Sequence, residues 1–322
     1  MKCPTCGHNQ KVKDGLVCGG CRYRFTFNPK ESTSRGMTDG KFAACLRAAS
    51  QNNTTWFTEN QLYAVFCRRV ARVSTGSIVS GVALIVVGVG LAFSEAWPFA
   101  IMALIFLIRV LAGILWGRRK IPRQRFELLL DRWQSSGKVI EKLITSPALH
   151  KPPPEWNEPD IYDYGVERIL IVERDILVDL FVKNGLHAEQ KMLILAESGY
   201  PDYLQPITQR LLTEQADLPV FLLHDATTHG AAMEARVLAS NALPLDGHPM
   251  TDLGMFPTDF QKLKRTKRFD PDNAHRALPA DAMLLPFMTM GLGAAMAEGI
   301  AFSGMLERQQ RGVTHGVGYD FG

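Results

Sequence analysis

From Gly76 to Gly117 the chain carries two apolar runs separated by a short polar break. Ser77 to Phe93 holds no charged residue, and Ala96 to Gly117 holds only Arg109. At about 1.5 Å rise per residue, each run is long enough as a helix to cross roughly 30 Å of hydrocarbon. The pattern therefore predicts an α-helical transmembrane hairpin over 76–117, with Arg109 near the middle of its second helix as an oligomer contact or a snorkelling side chain. Beyond residue 160 the apolar runs become short and alternate with amphipathic segments. Arg168–Val172, Met192–Ala196 and Val220–Leu223 read as buried strands, and Ile176–Asn184, Tyr203–Gln215 and Ala231–Ser240 as helices. Three βα units in succession predict an α/β domain with a parallel sheet.

The remaining segments divide the chain further. Lys41–Ser50 and Thr58–Val73 have helical spacing, the second with Thr58 as N-cap and Leu62, Phe66 and Val70 on one face. Arg125–Thr145 is amphipathic and reads as a pair of helices interrupted at Ser135-Ser136-Gly137, followed by a stiff Pro-rich linker at 147–159. Met283–Leu306 is apolar but contains Pro286, several glycines and Glu298, which fits a helix packed inside the domain better than a third membrane span. The expected units are 1–28, 29–75 (linker and short helices), 76–117, 118–159, 160–308 and a flexible tail at 309–322.

Charge adds an orientation. The chain is net +4, but the half up to residue 150 is strongly basic and the half after it acidic. Arg68, Arg69 and Arg72 precede the apolar pair and Arg118, Arg119, Lys120, Arg123 and Arg125 follow it, whereas its turn holds only Ser94 and Glu95. By the positive-inside rule this predicts a two-pass protein of the bacterial inner (plasma) membrane, with both termini cytoplasmic and membrane lipid as a partner. The first 30 residues are polar and Cys-rich, unlike a cleavable signal peptide.

Those residues hold the clearest metal pattern. Cys3-Pro4-Thr5-Cys6 and Cys18-Gly19-Gly20-Cys21 are two C-x-x-C knuckles, the spacing that lets four thiolates surround one tetrahedral ion. Cys3, Cys6, Cys18 and Cys21 thus predict a small β zinc ribbon over 1–28 with a closed, structural Zn²⁺ site. Lys2, Lys11, Lys13, Arg22 and Arg24, interleaved with Tyr23 and Phe25, suit a nucleic-acid surface, though docking to a protein partner is the commoner use of a ribbon. Cys45 and Cys67 read as small apolar residues on helix faces.

In a parallel sheet the site lies at the carboxyl ends of the strands. Here those ends carry Glu173, Glu197 to Asp202, and His224-Asp225. Ile171-Val172-Glu173, Gly199-Tyr200-Pro201-Asp202, Leu223 to Gly230 and Leu253 to Asp259 together resemble the Toprim domain, in the form carried by type IIB topoisomerase A subunits and the related meiotic DNA-cleaving protein. The resemblance implies a Toprim-like (Rossmann-like) domain at 160–308 and, by carry-over, Mg²⁺ held by Glu173 and Asp225, with Gly199, Asp202, Thr227 and Gly230 lining the ligand site. The second aspartate position is Thr227, a neutral hydroxyl, so Asp202, Asp175 or His229 would have to compensate. The tyrosine nucleophile's winged helix is replaced by the ribbon, the apolar pair and short helices, and Tyr63 reads as a packing residue. His224 and His229 flank Asp225, where either could serve as general base or metal ligand, although a structural or surface role is the commoner use of such a histidine. Lys262 to Arg268 is a local basic run. The resulting expectation is a multi-domain, membrane-anchored chain whose degenerate Toprim-like domain binds or regulates, with nucleic acid as a candidate partner and without topoisomerase activity. The alternative is a membrane-tethered Mg²⁺-dependent nuclease or phosphoryl-transfer enzyme, as bacterial defence would use, working through Glu173, Asp225 and His229.

Overall fold

The computed structural model describes residues 1–34, 36–70, 122–151, 165–258, 278–301 and 304. The apolar pair at 76–117 with Arg109, the basic run 262–268, Asp259 and the tail from 309 lie outside the described residues. Among the described residues no helix is long and apolar enough to cross a membrane. This corrects the expected transmembrane hairpin, the two-pass inner-membrane location and the lipid partner. Those expectations rested on apolar run length and on the basic residues flanking the runs, and neither by itself establishes a spanning helix. The longest helix described is the 14-residue segment Leu285–Glu298, about 21 Å long and so short of a bilayer core. Its Leu285, Met288, Leu292 and Ala295 are buried among protein side chains, as a helix packed inside the domain requires.

The helices are α1 (Asp39–Ala49), α2 (Glu59–Val70), α3 (Arg123–Ser135), α4 (Asp175–Lys183), α5 (Leu186–Glu189), α6 (Gln205–Glu214), α7 (Met233–Ser240) and α8 (Leu285–Glu298). The strands are β1 (Phe57–Thr58), β2 (Leu143–Ile144), β3 (Arg168–Val172), β4 (Met192–Ala196), β5 (Val220–Leu223) and β6 (Met250–Asp252). The main sheet runs β4-β3-β5-β6 and all its pairings are parallel, with Arg168 opposite Met192, Ile169 opposite Val220 and Val220 opposite Met250. The expected parallel-sheet α/β region is therefore present.

Both faces of β3, β4 and β5 are covered, which is why these strands are almost wholly apolar rather than alternating. Ile169, Ile171, Leu193, Leu195, Val220 and Leu222 pack on Leu211 and Leu212 of α6 and on Met233 and Val237 of α7. Leu170, Val172, Ile194, Ala196, Phe221 and Leu223 face the other way, onto Leu177, Val178 and Phe181 of α4 and onto α8. That second cluster continues without a break into Phe27, Phe42, Leu62, Phe66, Phe126 and Trp133. The N-terminal helices and α3 therefore share a core with the sheet.

Local chemistry explains the element ends. Gln61 NH donates to Thr58 Oγ1 and Thr58 NH donates to Gln61 Oε1, a reciprocal cap that starts α2 where the Thr58 N-cap was expected. Arg125–Thr145 is not a helical pair. α3 stops at Ser135, Gly137 takes φ +76°, and Leu143–Ile144 pairs in parallel with Phe57–Thr58 as a two-stranded sheet. Two residues of strand carry too little periodicity to separate from a helix in the sequence.

Candidate functional site

β3 connects to β4 on one side, and the chain then crosses back past β3 to β5. Their carboxyl ends flank the point where the strand order reverses, the crevice that open α/β sheets use for ligands. Glu173 follows β3 and Asp225 follows His224 at the end of β5, so this topology brings them together. Glu173 Oε2 accepts from the Asp225 backbone NH at 2.7 Å, and its Oε1 lies 2.9 Å from His229 Nδ1. His229 is thus oriented by Glu173 while its ring stays 68% exposed.

Two glycines make this packing possible. A Cβ on Gly230 would lie 2.3 Å from the Asp225 carbonyl oxygen and 2.8 Å from His224 Nδ1, and one on Gly254 would lie 2.0 Å from His224 Nε2. His224 is fully buried. Its Nδ1 is 2.8 Å from the Asp225 carbonyl, and its Nε2 is 3.2 Å from the Asp252 carboxylate. Burial alone would lower its pKa, but these acceptors outweigh burial and raise it above the ordinary histidine value.

Asp225 does not face an open cation site. Its Oδ1 accepts from the Ala280 NH at 2.7 Å and from Arg174 Nη2 at 3.1 Å, and its Oδ2 sits 2.7 Å from Arg174 Nε. Arg174 also holds the fully buried Asp281. Burial pushes the Asp225 carboxyl upward, with the Asp281 charge adding to it and Arg174 opposing. For Asp281, burial is outweighed by Arg174 and by hydrogen bonds from Thr58 and Asn60, and its pKa falls below the usual value. Those same two carboxylates raise Arg174 against its own desolvation. Both Asp225 oxygens are thus committed, and as arranged Glu173 and Asp225 do not fit a shared Mg²⁺.

The other expected positions are placed as follows. Thr227 Oγ1 accepts from the Gly230 NH at 2.7 Å, so the hydroxyl in the second aspartate position caps the turn entering α7. Gly199 takes φ +89° in the turn after β4. Asp202 is exposed, and Asp175 accepts from Ser198 Oγ at 2.6 Å, so neither joins Asp225. Four participants carry no signal in the sequence pattern: Arg174, Asp281, Asp252 and Arg236, the last of which pairs with the strand-end Glu197. Arg236 grips Glu197 with Nε at 2.6 Å and Nη2 at 2.7 Å and also donates to the His229 carbonyl.

The four N-terminal cysteines do converge. Their sulfurs all lie within 4.8 Å of one another, and among the described residues this is the group of three or more ligating side chains that could hold a metal. The two knuckles are built alike. Gly7 NH donates to the Cys3 carbonyl and Arg22 NH to the Cys18 carbonyl, with φ +73° at Gly7 and +59° at Arg22. Lys2 bridges Asn9 and Val17 bridges Arg24, so the β character expected here is limited to isolated bridges.

Residues 168–286 match the family of Toprim domains found in topoisomerase 6 A subunits and Spo11. The chain is 28% identical over 99 residues to the A subunit of type 2 DNA topoisomerase 6 from Saccharolobus shibatae, covering 31% of this chain and 25% of that protein. It is 31% identical over 71 residues to the protein of the same name from Sulfurisphaera tokodaii, covering 22% of this chain and 18% of that one. No solved structure matches. The chain therefore spans a quarter or less of the curated relatives it matches, and its similarity to these topoisomerase proteins lies in the Toprim region.

Proposed function

We propose that the protein is a DNA-associated binding module, which holds nucleic acid at the strand ends of its Toprim-type region without cleaving it. The observation that carries this reading is the commitment of Thr227. Its hydroxyl caps Gly230 where the resemblance places a second metal-binding aspartate, so the site lacks the carboxylate set for phosphoryl transfer. Similarity to proteins named as components of a DNA topoisomerase supports DNA as the ligand. The exposed ring of His229 flanks the crevice and suits contact with a phosphate oxygen. In this reading the unit at 160–308 is the binding element. The 1–28 segment holds Zn²⁺ through Cys3, Cys6, Cys18 and Cys21 and serves as a docking element for a protein partner. Such an ion would act structurally, by closing the two knuckles on each other.

The test is fluorescence-anisotropy titration of the full chain with labelled single- and double-stranded DNA, run beside a nicking assay with Mg²⁺ or Mn²⁺. Salt-dependent binding without nicking is expected. Nicking that disappears in both Glu173→Ala and Asp225→Ala would establish the nuclease alternative in its place.

A further inference from the structure

We infer that the Arg174 guanidinium is a built-in counter-cation of the strand-end site, standing beside Asp225 where a divalent ion would need to bind, so that the site works without Mg²⁺. The inference deepens the binding reading and rests on its choice of site, but its readout is the protein alone.

Arg174 meets Asp225 along one edge, with Nε 2.7 Å from Oδ2 and Nη2 3.1 Å from Oδ1. Nη2 donates a hydrogen bond to Oδ1, and Nε stands beside Oδ2 as an ion pair without donating one, so the guanidinium meets Asp225 chiefly as a charge. Nη2 reaches Asp281 as well, at 2.5 Å. One cation therefore serves two carboxylates, of which Asp281 is 0% and Asp225 13% exposed at the side chain. Mg²⁺ binds carboxylate oxygens at about 2.0–2.1 Å with near-octahedral geometry, and here the Ala280 NH and the guanidinium already fill the approach to both Asp225 oxygens.

Arg174 is held in place from the far end of the chain. Asp281 accepts from Thr58 Oγ1 at 2.5 Å and from Asn60 Nδ2 at 3.0 Å. Asn60 in turn accepts from Arg123, which is paired with Glu59 at 3.0 Å. Swinging Arg174 outward to admit a metal ion would leave Asp281 buried without a cation, a costly state that an incoming ion on Asp225 would not relieve. Exclusion of the metal is thus a consequence of how β3, the turn before α8 and the start of α2 meet.

The experiment is a Mn²⁺ titration of the zinc-loaded full chain, read by the fall in free-Mn²⁺ electron paramagnetic resonance, on wild type, Asp225→Asn, Arg174→Gln and the double variant. Wild type and Asp225→Asn should behave alike. Arg174→Gln should gain a saturable site roughly tenfold or more tighter than anything in wild type, the scale of removing one opposing charge at close range, and the double variant should lose it. A saturable wild-type site abolished by Asp225→Asn would overturn the inference, as would an Arg174→Gln protein that folds and gains nothing. If Arg174→Gln does not fold, the comparison of wild type with Asp225→Asn decides alone. Failure to bind DNA would overturn the proposed function and leave the metal result standing.

Discussion

Gly254 has no room for a side chain, because its Cα is packed against the ring of a buried histidine. A Cβ there would sit 2.0 Å from His224 Nε2 and 2.1 Å from its Cδ2. The ring cannot retreat without breaking its contacts to Asp252 and the Asp225 carbonyl. Gly254→Ala is expected to cost about 1–3 kcal/mol, the usual range for overpacking. Urea denaturation measures it, and a change within about 0.5 kcal/mol would mean the ring is not fixed there. Asp281 yields a pH prediction. Its folded pKa is depressed, so its contribution is fully present above the unfolded carboxylate value near ~3.9 and is lost as pH falls through the lower folded value. Wild type should exceed Asp281→Asn in stability at neutral pH, with the gap narrowing in acid. A gap that widened on acidification would contradict the sign.

At the scale of elements, the N-terminal knuckles are attached to α1 by a single buried carboxylate. Asp39 is 0% exposed and accepts from the Tyr23 hydroxyl at 2.8 Å, from the Thr26 and Phe27 NH groups and from Lys138 Nζ at 2.6 Å. The Lys138 ammonium also stands over the rings of Tyr23 and Trp133, at 4.3 and 4.6 Å from their centroids. Three separate stretches therefore meet at one ion pair. Removing one partner of such a pair leaves the other buried and uncompensated, so Asp39→Ala should destabilise by about 3–5 kcal/mol. Thermal denaturation tests this, and a loss below about 1 kcal/mol would show the attachment to be incidental.

The whole molecule couples the knuckles to the sheet. Phe27, just beyond the second knuckle, lies in the same apolar cluster as Leu170, Val172 and Phe181. Stripping metal from the cysteines should therefore lower the thermal midpoint of the entire chain rather than melt a separate module. Calorimetry with and without a strong chelator checks this, and an unchanged main transition would mean the knuckles stand alone energetically. Among the described residues, the apolar faces of α2, α3 and α8 are used against protein, and none of these helices is long enough for a bilayer.

The strands of the sheet were legible because burial on both faces makes each an unbroken apolar run, and β3, β4 and β5 fall at the residues that pattern marks. Glu173 and Asp225 were legible as strand ends, since a parallel sheet directs its carboxyl ends to one side. β6 was not: Met250-Thr251-Asp252 is short and half polar, and only pairing with β5 makes it a strand. The identity of the cation beside Asp225 was likewise hidden. Arg174 and Asp281 are 107 residues apart, and Asp281 is fixed by Thr58, 223 residues away. The sequence by itself determined where β3, β4 and β5 and their strand-end carboxylates lie, because these depend on local periodicity. Only the tertiary structure decided which charges meet, because the pairing of buried charges is set by chain crossings that leave no local pattern.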